Sequence, residues 1–312
     1  MSSSNLRDVP SMKFQVAARA LLRLPLSLSL ACLCLTCFVA RPSAAQEPVR
    51  HRVALEMNLP VDIGITAAGT VIWLGGELFA SKLASHDCRW CDRNSDGSDN
   101  LNGFDSSIRR HLRWSNTTTA NTLSSVFSFG LAPLAGTGVA ALIAAHDDRV
   151  DEIPDDLLLV AEPAVITMSF AQGAKFGFAR ERPDVHARSA ADREAHASSG
   201  DNMSFFSGHA SLAFSLATSA GTVASMRGHR LAPLMWIVGL SFATTGAYLR
   251  IAADRHYATD VLTGSVVGAA IGFSVPYFAH RPVRDERAFI SQLRVGSLPI
   301  EGGQLLVLSG LW

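Results

Sequence analysis

Six apolar stretches, at roughly 59–83, 120–146, 155–175, 207–226, 231–250 and 257–279, set the architecture this chain can adopt. Each is long enough for a helix of about five to eight turns. Their Gly, Ala and Ser content suits close helix–helix contact. The expected fold is an all-α six-helix bundle with a small C-terminal β-hairpin. The hairpin is read within 288–312, where Phe289-Ile-Ser-Gln-Leu-Arg-Val and Gln304-Leu-Leu-Val-Leu flank a Pro-Ile-Glu-Gly-Gly turn. Two polar loops divide the bundle. Loop 84–119 is rich in Asp, Asn, Ser and Gly, and loop 176–206 in Arg, Asp and Ser.

The first 45 residues have the pattern of a secretory signal. Arg7, Lys13, Arg19 and Arg23 precede an apolar run from Leu24 to Ala40, and Ser43, Ala44 and Ala45 supply a small-residue cleavage site. The domain expected after it is a helical domain at 46–287, followed by the hairpin extension. Removing 1–45 leaves a mature net charge of −4. No global basic field then argues for nucleic acid, and positive charge needed at a site must be concentrated locally. With 48% hydrophobic and 17% charged residues, the chain is too apolar for a disordered protein.

Hydropathy leaves two readings of the bundle. The run from Leu231 to Leu249 carries no formal charge, and 257–279 carries only Asp260, so both can cross about 30 Å of hydrocarbon. The stretch 207–226, full of Ser, Thr and Gly, is weak as a span. Mean hydropathy is +0.21, low for six spans. A cleaved leader would also place the Arg-bearing segments 227–230 and 281–287 outside, against the positive-inside tendency. The bundle is either membrane-embedded or an exported, largely soluble domain.

Cys88 and Cys91 are the two cysteines outside the leader. In an oxidising compartment a local disulfide is the first reading, with free thiols or a metal or redox site as alternatives. Nearby, Asp92-Arg-Asn-Ser-Asp96-Gly97-Ser-Asp99 has the oxygen spacing of a calcium loop, but position 12 is Gly103 rather than a bidentate Glu.

Three motifs carry the chemistry. The first, Lys175-Phe-Gly-Phe-Ala-Arg-Glu-Arg182-Pro183, closes the third apolar stretch. The second, Ser207-Gly208-His209, opens the fourth. The third, Arg250-Ile-Ala-Ala-Asp-Arg-His256-Tyr-Ala-Thr-Asp260, joins the fifth to the sixth. In an up-and-down bundle the order of elements brings all three to one end. Lys175, Arg182 and Arg250 can neutralise a phosphoryl group, the arginines through forked hydrogen bonds. Ser207 and Gly208 offer a hydroxyl and N–H groups at a helix start, where the dipole favours an anion. His256 and Asp260, four apart, share a helix face. Asp260 can then hold one imidazole nitrogen and leave the other free for attack. His209 is placed to protonate the leaving oxygen. Each motif alone is weak, since Ser-Gly-His is an ordinary helix start and Arg-Pro an ordinary turn.

At these residues the sequence resembles the type 2 phosphatidic acid phosphatase and vanadium haloperoxidase superfamily, whose pattern is Lys-x6-Arg-Pro, Pro-Ser-Gly-His and Ser-Arg-x5-His-x3-Asp. Phe206 stands where that pattern has proline, and Leu249 where it has serine. The resemblance implies a phosphohistidine on His256, support from Asp260, and acid–base work by His209. It implies a phosphate held by Lys175, Arg182, Ser207, Gly208 and Arg250, with no metal or other cofactor. The substrate is then a phosphorylated small molecule or lipid. The expected place is the periplasm, or the inner membrane with the site facing the periplasm. A soluble broad-specificity acid phosphatase is the alternative, and a haloperoxidase binding vanadate in the same cage a further one.

Overall fold

A computed structural model describes residues 52–283, together with the backbone of 294–300 and 303–309. The leader at 1–45, the domain limits at 46 and 287 and the hairpin's turn lie outside the described residues. Long helices account for the apolar stretches. They are α1 (Leu59–Leu78), α4 (Thr117–Val126) running through a π-helical turn (Phe127–Leu131) into α5 (Ala132–His146), α6 (Ile153–Phe178), α9 (Gly208–Met226), α10 (Ala232–Ala252) and α11 (Ala258–Ala279). The fold is all-α, as expected, but the helices outnumber six. Short α2 (Ala80–Leu83), α3 (Gly103–Leu112), α7 (Pro183–His186) and α8 (Ala190–Ala195) occupy the two polar loops. Their apolar content is too small to announce them. They start on local caps, such as the Asn102 side chain accepting from Asp105 N and Ser189 accepting from Asp192 N. Strands β1 (Arg294–Ile300) and β2 (Gly303–Ser309) pair antiparallel, Arg294 opposite Ser309.

The long helices begin where the sequence supplies caps. Asn58 caps α1 ahead of Pro60, Ser207 caps α9, and Tyr257 with Asp260 forms a capping box for α11. The chain then runs up and down between two ends. Hydrogen bonds between His229 and Asp147, Arg227 and Asp156, and His280 and Glu162 gather at one end. All three motifs meet at the other.

α9 is the central helix, packed against α6, α10 and α11. Its closest neighbour is α11, through Gly264, Gly268 and Gly272. A Cβ on Gly264 would lie 2.6 Å from Ser207 O, and on Gly268 or Gly272 it would collide with the backbone of Ser211 or Ser215. Glycine at i, i+4 and i+8 thus lets two backbones touch. The same contact fixes the N-terminus of α9 against that of α11. Gly268→Val is expected to destabilise the fold by about 3 kcal/mol or more, an overpacking cost. Gly64→Ala, with nothing within 4 Å of the new Cβ, should be neutral or slightly stabilising. Thermal unfolding of both variants in detergent checks this pair.

The distribution of polarity is inverted relative to a water-soluble protein. Ser211, Ser215, Ser219, Thr167 and Thr222 are buried, whereas Val71, Ile72, Leu134, Phe170 and Val266 are exposed. Five segments are long and apolar enough to cross a membrane: Leu59–Leu78, Thr117–His146, Val150–Phe178, Ala232–Ala252 and Ala258–Ala279. These features fit a membrane protein.

Candidate active site

The residues singled out by sequence come together at one end of the bundle. Lys175 sits in the last turn of α6, buried, with Nζ 3.4 Å from the Glu77 carboxylate. α6 ends at Ala179, whose left-handed backbone (φ 44°) turns the chain sharply and carries a strain that a non-glycine residue rarely accepts. Gly208 opens α9, and a Cβ there would lie 3.3 Å from Lys175 Nζ. Its absence lets the ammonium approach the helix N-terminus. Ser207 is fully buried; its Oγ accepts from Ala210 N and its own N–H donates to the Asp260 carbonyl.

Arg182 donates to the carbonyls of Gly200 and Arg255. Arg250, in the last turn of α10, donates to Asn121 Oδ1 at 2.9 Å, while its Nε is buried without a partner. Among the described residues neither arginine has a carboxylate within ion-pair distance. Burial and the neighbouring Arg255 push Arg182 down to about 10. His209 Nε2 is likewise buried and unpartnered, its ring packed edge-on to Phe129 with centroids 4.8 Å apart. Lys175, Arg182 and Arg250 thus gather positive charge around His256 and His209, with two buried nitrogens, Arg250 Nε and His209 Nε2, left without a hydrogen-bond partner.

His256 is buried in the turn before α11. Its Nδ1 lies 2.7 Å from the Ser204 carbonyl. A carbonyl can only accept, so Nδ1 carries the hydrogen and Nε2 keeps its lone pair. Burial, then Arg250, Arg182 and Lys175, hold His256 well below the usual imidazole range, so it stays neutral into acid solution. Asp260 does not make the direct bond expected of it: its nearer oxygen is 3.8 Å from Nδ1. Its Oδ2 instead accepts from Ser204 Oγ at 2.6 Å and Tyr257 N at 3.0 Å, and its Oδ1 accepts from Arg180 at 2.6 Å. Asp260 therefore fixes the segment that holds the imidazole, through Ser204 and the α11 cap.

Arg180 and Ser204 are the residues that sequence reasoning missed. Arg180 is wholly buried and uses all five N–H donors, on Asp92, Asp105, Thr259 and Asp260. Its guanidinium lies between the rings of Trp90 (4.1 Å) and Tyr257 (4.2 Å). Trp90 lies inside the ring closed by the Cys88–Cys91 disulfide, so the start of the polar loop 84–119 packs on Arg180, while residues 94–100 are exposed. The calcium-like pattern is spent in the same way. Asp92 holds Arg180 and Trp90 Nε1, Asp96 accepts from Ser98, and Asp99 accepts from Leu101 N and pairs with His186.

Residues 157–284, which contain all three motifs, match the family model described as PAP2 superfamily. No curated protein and no solved structure matches the chain.

Proposed function

Residues 157–284 make this chain a member of the PAP2 superfamily, and from that premise we propose that it hydrolyses phosphate monoesters or diphosphates, lipid phosphates foremost, through a phosphohistidine on His256. The observation that carries the reading is the positive cage of Lys175, Arg182 and Arg250 around two imidazoles, one of them held with Nε2 free.

In the first step His256 Nε2 attacks phosphorus and the P–O bond to the alcohol breaks. Burial and the cage cations depress the His209 pKa in the absence of an anion. It is protonated once the phosphate dianion offsets those cations, and it gives that proton to the leaving oxygen, so the alcohol departs neutral. Charge on the three equatorial oxygens is met by Lys175, Arg182 and Arg250, with N–H groups at the start of α9 beside them. In the second step His209 takes a proton from water, the water oxygen attacks phosphorus, and the N–P bond breaks to release phosphate. Side chains supply the positive charge, so the reaction needs no cofactor; vanadate would enter only in a haloperoxidase.

Five apolar candidate spans support a lipid substrate over a soluble one. The disulfide at the catalytic end supports a site facing the exported, oxidising side. α1 starts at the opposite end, so a bundle of this orientation needs residues 52–58 on the inner face. A leader cut at Ala45 would instead leave them outside.

Phosphate release from lipid and soluble monoesters by the purified protein tests the reading; no release from any of them sinks it. The pH profile adds a signed test. Attack needs a neutral imidazole, and the cage depresses the His256 pKa. The acid limb of kcat/KM on a soluble monoester should therefore fall below about 6.5, the ordinary histidine value. Arg250→Gln removes one cation, so in the activity that remains the limb should move to higher pH. A limb at or above the ordinary value, unmoved by the substitution, would contradict the proposed role of the cage.

A further inference from the structure

A second cluster of ionisable side chains lies at the end of the bundle opposite the phosphate cage. Asp62 near the start of α1, Glu162 in α6 and His280 just past α11 are all buried, at 4%, 3% and 3% exposure. One ligand atom from each lies within 4.8 Å of the other two. Glu162 is about 20 Å from Lys175 along α6, at about 1.5 Å per residue, and the hydrolysis does not use it. Both carboxylates belong to helices long and apolar enough to cross a membrane, where a buried charge persists only with a partner. Yet among the described residues no lysine or arginine comes within ion-pair distance of either. Only His280 does, its Nε2 3.1 Å from Glu162 Oε2. Glu152, Asp156 and His229 also come together at this end, but there Arg227 sits among them, 2.9 Å from Asp156 and 3.6 Å from Glu152.

The surroundings of Asp62, Glu162 and His280 fit a cation. Asp62 Oδ2 accepts from Asn58 N, and Glu162 Oε2 faces His280. Their second oxygens, Asp62 Oδ1 and Glu162 Oε1, accept from no described residue, although both side chains are more than nine-tenths buried. His280 Nδ1 lies 3.1 Å from the Glu56 carbonyl, which can only accept, so Nδ1 carries the hydrogen and Nε2 is turned to the carboxylates. A carbonyl on the far nitrogen is the usual support of a metal-bound imidazole. That carbonyl is itself fixed. Glu56 N donates to Arg281 O, Val283 N donates to Ala54 O, and Leu55 pairs with Pro282. The chain before α1 and the chain after α11 are thus stitched together, and they hold His280 against Glu162. The 3.1 Å between Nε2 and Oε2 is close to the edge, about 3.4 Å, of a tetrahedron with ligands at about 2.1 Å.

We propose that Asp62, Glu162 and His280 bind a divalent transition metal, zinc foremost, which clasps α1 and the chain after α11 to α6. The imidazole nitrogen selects against calcium and magnesium, which take oxygen ligands. The two carboxylates neutralise the double charge of the ion, and the fourth position falls to water. The site is structural. It is remote from the cage, and it stands whether or not the chain is a phosphatase.

The full chain without a histidine tag, purified in detergent and stripped with a chelator, tests this with zinc chloride alone. Calorimetry should show saturable binding at about one equivalent per chain. Zinc at about a hundred times Kd should raise Tm by roughly 5–10 °C, and magnesium chloride should leave it where it is. Glu162→Gln keeps the size of the side chain, and His280→Gln keeps a donor for the Glu56 carbonyl. Each should erase the zinc shift. A triad that is only an ionic network would lose stability in both variants and show no zinc shift in the wild type. The wild-type titration needs no variant, so it decides even where a variant fails to fold. No zinc shift in the wild type, a magnesium shift as large as that of zinc, or a zinc shift that survives in both variants overturns the site.

Discussion

His256→Ala should lower kcat by roughly 10³–10⁶-fold, the range that nucleophile removal spans in covalent hydrolases. The protein should remain folded, because His256 makes one hydrogen bond, to the Ser204 carbonyl, and contributes no ion pair shorter than 3.8 Å. The change is distinguishable from damage to binding. With the cations in place, phosphate and substrate analogues should still bind within a few-fold of wild type, since the proposed site holds the anion on Lys175, Arg182 and Arg250. A trapped phosphoenzyme, seen by rapid quench with labelled substrate, should be present in the wild type and missing from the variant. His209→Ala offers the complementary result. It should slow both steps, and should slow an ester with a good leaving group least, because such an alcohol departs without a proton. Near-wild-type turnover by His256→Ala would end the covalent mechanism.

Arg180→Leu should be the most destabilising single substitution at this end of the bundle. It leaves Asp105 and Asp260, both at 0% side-chain exposure, without the cation that compensates them. Removing one partner of a buried ion pair costs about 3–5 kcal/mol. Here one guanidinium serves three carboxylates, since Asp92 shares it too. Arg180→Lys should recover little. An ammonium has three donors against the five in use, and no flat face to lie between Trp90 and Tyr257. Chemical denaturation in detergent measures the loss. Activity should fall with it at temperatures where the variant is still folded, because Asp260 then no longer pins Ser204 and, through it, the His256 tautomer. A lysine variant with wild-type stability and turnover would show that Arg180 is incidental to the site.

The convergence of the proposed catalytic set was legible because its spacing is a property of helix ends. Lys175 and Arg182 lie at the end of α6, His209 opens α9, and Arg250 and His256 lie at the turn from α10 to α11; an up-and-down order leaves those ends no other meeting place. Arg180 was not legible. It stands inside the Lys-x6-Arg spacing, where any residue satisfies the pattern, and its partners Asp92, Asp105 and Asp260 are up to 88 residues away along the chain. An arginine two positions before Arg182, following the sharp Ala179 turn, was the available signal, and it has meaning only once the three aspartates are near. Ser204 was hidden for a similar reason. Its role belongs to its backbone carbonyl, which every residue has.

The central helix shows the same division from the other side. Residues 207–226 looked weak as a span because Ser, Thr and Gly lower their hydropathy. Those residues are the buried ones, packed on α6, α10 and α11, and the surrounding helices shield them from any solvent. A helix with no lipid-facing side has no need of large apolar side chains and gains from small ones. By itself, the sequence determined the long helices, their order and therefore which charged residues share an end, because chain connectivity and helix period are local properties. Only the tertiary structure decided how the nucleophile is held: by the Ser204 carbonyl directly and by Asp260 and Arg180 behind it. Hydrogen-bond partners within about 3 Å are chosen by packing between distant segments, and no local rule of sequence encodes that choice.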